Sequence, residues 1–314
     1  MAVYAFIFPG QGSQSVGMGA DLAAAFPSAR AVFEEVDEAL GEKLSKTIFE
    51  GPMEALTSTE NAQPALMAVS MAVLRVLEEQ GGLDLAGKVT LLAGHSLGEY
   101  AALAAGRAFG VTEAARLLRT RGLAMQKAVP AGEGGMAALI GATLAQTQEI
   151  CEKAAQGGVL EIANDNGGGQ IVISGTMAAI DNAIALAKEM KIKRAVKLPV
   201  SAPFHSSLMR PAEDVMAEAL ANADIASPIV PVIANVTAEK VSDPDAIRQA
   251  LTKQVTGRVR WRESVEAMTS MGVDTFVEIG AGKVLSGLVR RIDPEVSTSS
   301  VGTPADIETL LKSF

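Results

Sequence analysis

The chain has 314 residues, 48% of them hydrophobic and 4% aromatic, so it can bury one large domain, or a large domain carrying a smaller one, and is too apolar for disorder. Its formal charge of −9 argues against a general nucleic-acid binder, which would carry a basic footprint. A single cysteine, Cys151, excludes an internal disulfide framework and a cysteine-built zinc site, and its helical neighbours suit a half-buried structural thiol.

The opening Ala2–Phe8 is apolar but too short, and without the basic lead, for a signal peptide. No run approaches the roughly 18 apolar residues of a membrane span, so a soluble, cytoplasmic protein is expected. Val3–Phe8 reads as a buried strand, followed by the loop Pro9-Gly10-Gln11-Gly12-Ser13-Gln14 and a helix from about Asp21. A helix follows at Ala62–Glu79, then a strand at Lys88–Ala93. That strand runs into Gly94-His95-Ser96-Leu97-Gly98 and a helix over Glu99–Arg107. Another helix is expected at Thr112–Ala128.

From about Met136 to Val200 the rhythm changes. Strand Met136–Gly141, helix Leu144–Gln156, strand Val159–Ala163, strand Gln170–Ser174, helix Met177–Met190 and strand Arg194–Val200 give the order βαββαβ. The alternation elsewhere favours a parallel sheet with helices on both faces. The fold class is therefore α/β: a hydrolase-like core formed by residues 1–131 and 201–314, with an inserted ferredoxin-like subdomain at 132–200. Glycines 132, 134 and 135 and prolines 199 and 203 would serve as hinges, with a ligand cleft between the parts. Helix Ser207–Ala221 and strands Ile229–Asn235 and Thr275–Ile279 return to the core pattern.

Gly94–Gly98 is a G-x-S-x-G nucleophile elbow in its proper setting of strand, sharp turn and helix. The bend projects the Ser96 hydroxyl, and the following helix aims its N-terminal amides at any oxyanion formed there. Acyl transfer through a serine ester is the leading chemistry. Serine needs a base, and the chain has two histidines. His95 adjoins the serine, where the turn points its side chain elsewhere. His205, in Ser201-Ala202-Pro203-Phe204-His205-Ser206, is the stronger candidate. No carboxylate presents itself to orient that imidazole, so the third group is a neutral amide, a backbone carbonyl, or an acid hidden from sequence.

Ala114, Leu117, Leu118, Arg121 and Met125 share one helical stripe, so Arg121 points inward. A buried guanidinium needs a partner: a structural carboxylate, or a substrate carboxylate gripped by its planar fork. The loops at Gly10–Gly12 and Gly280–Lys283 fail both nucleotide fingerprints; the first suits amides lining an oxyanion pocket. Lys191–Lys197 is a basic run, either a solvated edge or a dock for an acidic protein, and Arg258, Arg260 and Arg262 could extend it or contact phosphates.

Phe8–Gln14, Gly94–Tyr100, Arg121, Ala202–Ser206, Gln254-Val255-Thr256 with Arg260-Trp261, and Val277–Lys283 together closely resemble the malonyl-CoA:acyl-carrier-protein transacylases. The similarity runs through essentially the whole chain in the family's order. It implies Ser96 as nucleophile and His205 as general base and acid. It also implies that the Gln254 backbone carbonyl orients the histidine, that Gln11 and Leu97 donate the oxyanion hole, and that Arg121 binds the malonyl carboxylate. Malonyl-CoA and acyl carrier protein are the implied partners, fatty-acid synthesis the setting and a monomer the expected state, with no metal or redox cofactor, no nucleic acid and no membrane. The rivals are a freestanding acyltransferase of a polyketide pathway, a serine thioesterase or esterase, and an idle carrier-protein-binding module.

Overall fold

The computed structural model describes residues 2–200 and 202–313; the expected segment limits at Met1, Ser201 and Phe314 lie outside the described residues. The described residues form ten strands, the first five being β1 Tyr4–Phe8, β2 Val89–Gly94, β3 Gly134–Ile140, β4 Leu160–Asp165 and β5 Gln170–Thr176. The remainder are β6 Arg194–Lys197, β7 Val232–Ile233, β8 Lys240–Val241, β9 Thr275–Ile279 and β10 Ser297–Val301. One sheet has the order β10-β9-β1-β2-β7-β8, parallel throughout except for the last pair.

Every residue of β1 is buried, as a strand covered on both faces requires. Its alternation divides the core. Tyr4, Phe6 and Phe8 pack into the larger cluster, with helices Thr59–Glu79 and Leu97–Ala105. Ala5 and Ile7 pack on the opposite face against Trp261, Val265 and Leu288. The chain is thus an α/β protein built around a parallel sheet.

The second sheet, β4-β5-β3-β6, is antiparallel, and its elements run βαββαβ along the chain. Ala137, Leu139 and Ile173 face helices Leu144–Ala154 and Met177–Glu189. Met136, Ala138 and Val172 face the other way and join the main core. Cys151 is buried in the first of these layers rather than half-buried, and burial pushes its thiol up to about 12.

Several expected elements change at prolines. The helix expected from Asp21 is two helices, Ala20–Ala25 and Pro27–Leu40, because Phe26, preceding Pro27, is extended. The strand expected at Ile229–Asn235 shrinks to β7. Pro231 lends β2 only its carbonyl, accepting from Leu92 N at 2.9 Å, and a proline has no amide to donate. Helix Ser207–Ala221 instead opens with a 3₁₀ turn, Ser207–Met209, and continues as Arg210–Asn222, which has Pro211 in its first turn.

Candidate active site

Three segments meet at the end of β2. Ser96 stands between β2 and helix Leu97–Ala105 with φ 55° and ψ −112°, a strained bend that the surrounding backbone enforces. The turn is tight enough that a Cβ on Gly94 would lie 1.9 Å from the Gly98 carbonyl oxygen. One on Gly98 would lie 2.2 Å from Phe8 O. Both clashes are with backbone, which cannot swing aside. Gly94→Ala and Gly98→Ala should therefore each destabilise the fold by roughly 3 kcal/mol or more, read from urea melts. Near-wild-type melts would show that the elbow relaxes.

His205 reaches the serine from a different segment, with Nε2 2.8 Å from Ser96 Oγ. Its Nδ1 lies 2.9 Å from Gln254 O and 3.1 Å from Gly257 O. Two carbonyls can only accept, so Nδ1 carries the proton and Nε2 is free to accept the serine O–H. Gln254 ends helix Pro244–Gln254, and terminal helical carbonyls lack partners within their own helix. The negative end of that helix also favours an imidazolium when one forms. A helix end thus stands where a hydrolase triad would place its acid.

Arg121 is buried on helix Val111–Ala128, together with Ala114, Leu117, Leu118 and Met125, as the periodicity requires. Gly122 lets that helix cross close to Thr59–Glu79, since a Cβ there would lie 2.5 Å from Glu60 Cα. The approach sets Arg121 Nη1 donating to Gln63 Oε1 at 2.7 Å. Nη2 donates to Gln254 Oε1 at 3.0 Å and to Ser96 Oγ at 3.1 Å. All three acceptors are neutral. The three bonds use three of the five N–H groups of the fork, which stands beside the Tyr100 ring, so donor capacity is left for a ligand.

Ser96, His205, Arg121 and Gln63 line a cavity of about 320 Å³ between the two sheets, with Gln11 and Leu97 also in its wall. The core contributes the loop after β1 and the elbow; Met136, Val172 and Leu198 close the opposite side. His95 takes no part in the serine contact. Its Nε2 lies 2.8 Å from Asn166 Oδ1 and its ring lies against Trp261.

Electrostatics keep the base neutral. Burial first, then the charge of Arg121, lower His205 to about 3, only partly offset by its bond to Gln254 O. Glu99, beneath the elbow, is raised by burial to about 7, against its bonds from Asn235 and Gln254 and the charge of Arg121. The two have opposite effects on stability. As pH falls from 6.5 towards 3, the unfolded chain takes a proton on His205 that the folded chain refuses. Between 4.5 and about 7 the folded chain keeps a proton on Glu99 that the unfolded chain has released. From these two groups, stability should be flat between about 4.5 and 6.5 and fall only at lower pH. Glu99→Gln removes the compensating carboxyl, so its stability should fall with acid by roughly 1 kcal/mol per pH unit through that window. Urea melts of both proteins at three pH values check this; parallel slopes would refute it.

Sequence reasoning missed Gln63, Asn235, Asn166 and the part played by Glu99. Asn235 follows β7 and holds the elbow: Oδ1 accepts Ser96 N–H at 2.8 Å and Nδ2 donates to Gly94 O at 2.7 Å. The signal available was its place at a strand's carboxyl end, where α/β sheets gather their sites. Arg258, Arg260 and Arg262, candidates for phosphate contact, are engaged within the fold. Arg262 pairs with Asp165 at 2.9 Å and with Glu266 at 2.8 Å, and both others pair with Glu263.

The acyl transferase domain family matches residues 5–300. A malonyl CoA-acyl carrier protein transacylase of Bacillus subtilis is 46% identical over 315 residues, covering 100% of this chain and 98% of the relative. The acyl-carrier-protein-S-malonyltransferase of Bartonella henselae superimposes with a TM-score of 0.97 at 57% identity, over 99% of both chains. A malonyl-transacylase solved in complex with its type II PKS acyl-carrier protein superimposes with a TM-score of 0.96 at 41% identity, over 100% of both. With fold and sequence matched from end to end, the chain belongs to the malonyl CoA-acyl carrier protein transacylase family.

Proposed function

We propose that this protein moves a malonyl group from malonyl-CoA to the phosphopantetheine thiol of acyl carrier protein through a malonyl ester on Ser96. The observation that carries the reading is the double contact on Ser96 Oγ, from His205 Nε2 at 2.8 Å and Arg121 Nη2 at 3.1 Å. One partner takes the proton of the nucleophile. The other is a cation with spare donors, suited to an acyl group that ends in a carboxylate.

In the first half-reaction Ser96 Oγ attacks the thioester carbonyl and its proton passes to His205 Nε2. The negative oxygen so formed is held by the backbone N–H groups of Gln11 and Leu97, the latter at the open N-terminus of its helix. The C–S bond then breaks, His205 returns the proton to the departing CoA sulfur, and malonyl remains on Ser96. In the second half, the carrier-protein thiol gives its proton to His205 as its sulfur attacks the ester. The C–O bond breaks and Ser96 Oγ recovers the proton. Only an acyl group and a proton move, so the residues named suffice without metal or redox chemistry.

The acidic carrier protein has a matching surface in Lys191, Lys193 and Arg194, all exposed beside β6. One chain supplies every group named, which supports a monomer. Its single cysteine is a free, buried thiol, as suits the cytoplasm. A hydrolase reading gives Arg121 no task. Supply of a polyketide carrier is a second reading, favoured by the type II PKS complex of the related transacylase.

Intact-protein mass spectrometry after brief exposure to malonyl-CoA tests the proposal. A single malonyl adduct that holo acyl carrier protein discharges is the expected result. Free malonate without an adduct would move the protein to the hydrolases.

A further inference from the structure

Beneath the elbow lies a carboxyl group that takes no part in these steps. Glu99, in the first turn of helix Leu97–Ala105, is 1% exposed. Its Oε2 meets two neutral donors, the Asn235 backbone N–H at 3.0 Å and Gln254 Nε2 at 2.7 Å. Each belongs to a residue that seats part of the site. Asn235 holds the elbow through Ser96 N–H and Gly94 O. Gln254 holds Arg121 through Oε1, donates Nε2 to Ser96 O at 3.0 Å, and lends its backbone carbonyl to His205.

The two ends of a carboxamide are alike in shape and opposite in hydrogen bonding. Gln254 can present oxygen to Arg121 only while its NH₂ is anchored on the other side. Ser96 O, Asn235 Oδ1 at 3.3 Å and Glu99 Oε2 supply that anchor, and the Glu99 contact is the shortest. Without it the amide keeps its sense of direction but loses its firmest hold. Gln63 Oε1 is then the one side-chain amide oxygen still fixed opposite Arg121 by the remaining contacts.

We propose that Glu99 is a positioning residue of the transfer reaction, seating Gln254 and Asn235 so that the Arg121 guanidinium and the Ser96 backbone stand in place for a carboxylated acyl group. The inference rests on the acyl-transfer reading above. A mere packing role for Glu99 would affect all acyl donors alike, whereas seating Arg121 concerns malonyl above acetyl.

The test compares Glu99→Gln, Glu99→Asp and Glu99→Leu with wild type, using malonyl-CoA and acetyl-CoA as donors and holo acyl carrier protein as acceptor. A wild type that forms no malonyl adduct would overturn the acyl-transfer reading and this inference with it. Once the adduct is seen, the variants alone decide the inference. Glutamine offers an acceptor at the same reach and should keep both malonyl turnover and the malonyl preference within about threefold of wild type. Aspartate withdraws the carboxyl by one methylene and leucine removes it. A misplacement of about 1 Å costs on the order of 10²-fold in turnover, so each should slow malonyl transfer by about tenfold to 10²-fold and lower the malonyl-over-acetyl ratio at least about tenfold. Should the leucine variant fail to fold, the aspartate variant carries the comparison. Equal losses on both donors, an unchanged ratio, or a glutamine variant as impaired as aspartate would overturn the proposal.

Discussion

Ser96→Ala is expected to abolish the acyl adduct and to slow malonyl transfer by about 10³-fold or more, the scale on which removal of a covalent nucleophile is felt. The substitution leaves the elbow otherwise as it was, since alanine meets the same positive φ of 55° as serine. His205→Ala should cost a comparable factor for a different reason: the hydroxyl remains but has no group to take its proton. Because the two act as one unit, the double variant should be little worse than either single one. Quenched-flow transfer to holo acyl carrier protein, with intact-mass detection of the ester, measures all three. An adduct surviving in Ser96→Ala would place the nucleophile elsewhere. Losses in the double variant equal to the product of the single ones would show serine and histidine acting independently, against the 2.8 Å contact between them.

The pH dependence should set this base apart from an ordinary histidine. With His205 held near 3, the free enzyme keeps its imidazole neutral through mild acid, and kcat/KM should show no acid limb near 6.5. The basic form is available across that range because burial and Arg121 both oppose the imidazolium. During catalysis the charge need exist only transiently, when the oxyanion and the C-terminal end of helix Pro244–Gln254 are there to stabilise it.

What was legible in the sequence was local. The elbow announces itself within a few residues because a strand, two glycines and a helix must follow one another for the serine to project. Arg121 could be placed inward because helical periodicity fixes which neighbours share its face. The orienting group for His205 could not be read this way. It is a main-chain carbonyl, present at every residue, and it is set apart only by the end of helix Pro244–Gln254, a helix the pattern reading did not identify. Family resemblance pointed to Gln254 where residue chemistry could not. Gln63, Glu99 and Asn235 enter from separate segments, and their roles depend on a network closed only in three dimensions. In the basic Arg258–Arg262 stretch the pairs to Glu263 and Glu266 are local, whereas Asp165, the other partner of Arg262, lies almost a hundred residues away.

Arg121→Ala should separate recognition from chemistry. In the free enzyme the guanidinium is fully buried and its hydrogen bonds to Gln63, Gln254 and Ser96 all go to neutral acceptors, and such a group has more to gain from a carboxylate than from any ligand lacking one. An acetyl donor leaves that capacity unused; a malonyl donor fills it. Discrimination built on a buried group left unpaired runs to roughly 1–3 kcal/mol, or about fivefold to 150-fold in kcat/KM. Alanine should therefore depress malonyl transfer by about 10²-fold while acetyl transfer holds or rises, bringing the two close together. Lysine at the same position would restore charge without the fork and should recover only part of the preference. The substitution also frees Gln254 Oε1 and Ser96 Oγ from one donor, which limits any gain on acetyl, so the ratio rather than either rate is the decisive quantity. Competition between malonyl-CoA and acetyl-CoA in one vessel reads that ratio directly. A ratio unchanged from wild type would make Arg121 a structural brace for the nucleophile and the base, and the selection of a carboxylated acyl group would have to come from elsewhere in the cavity.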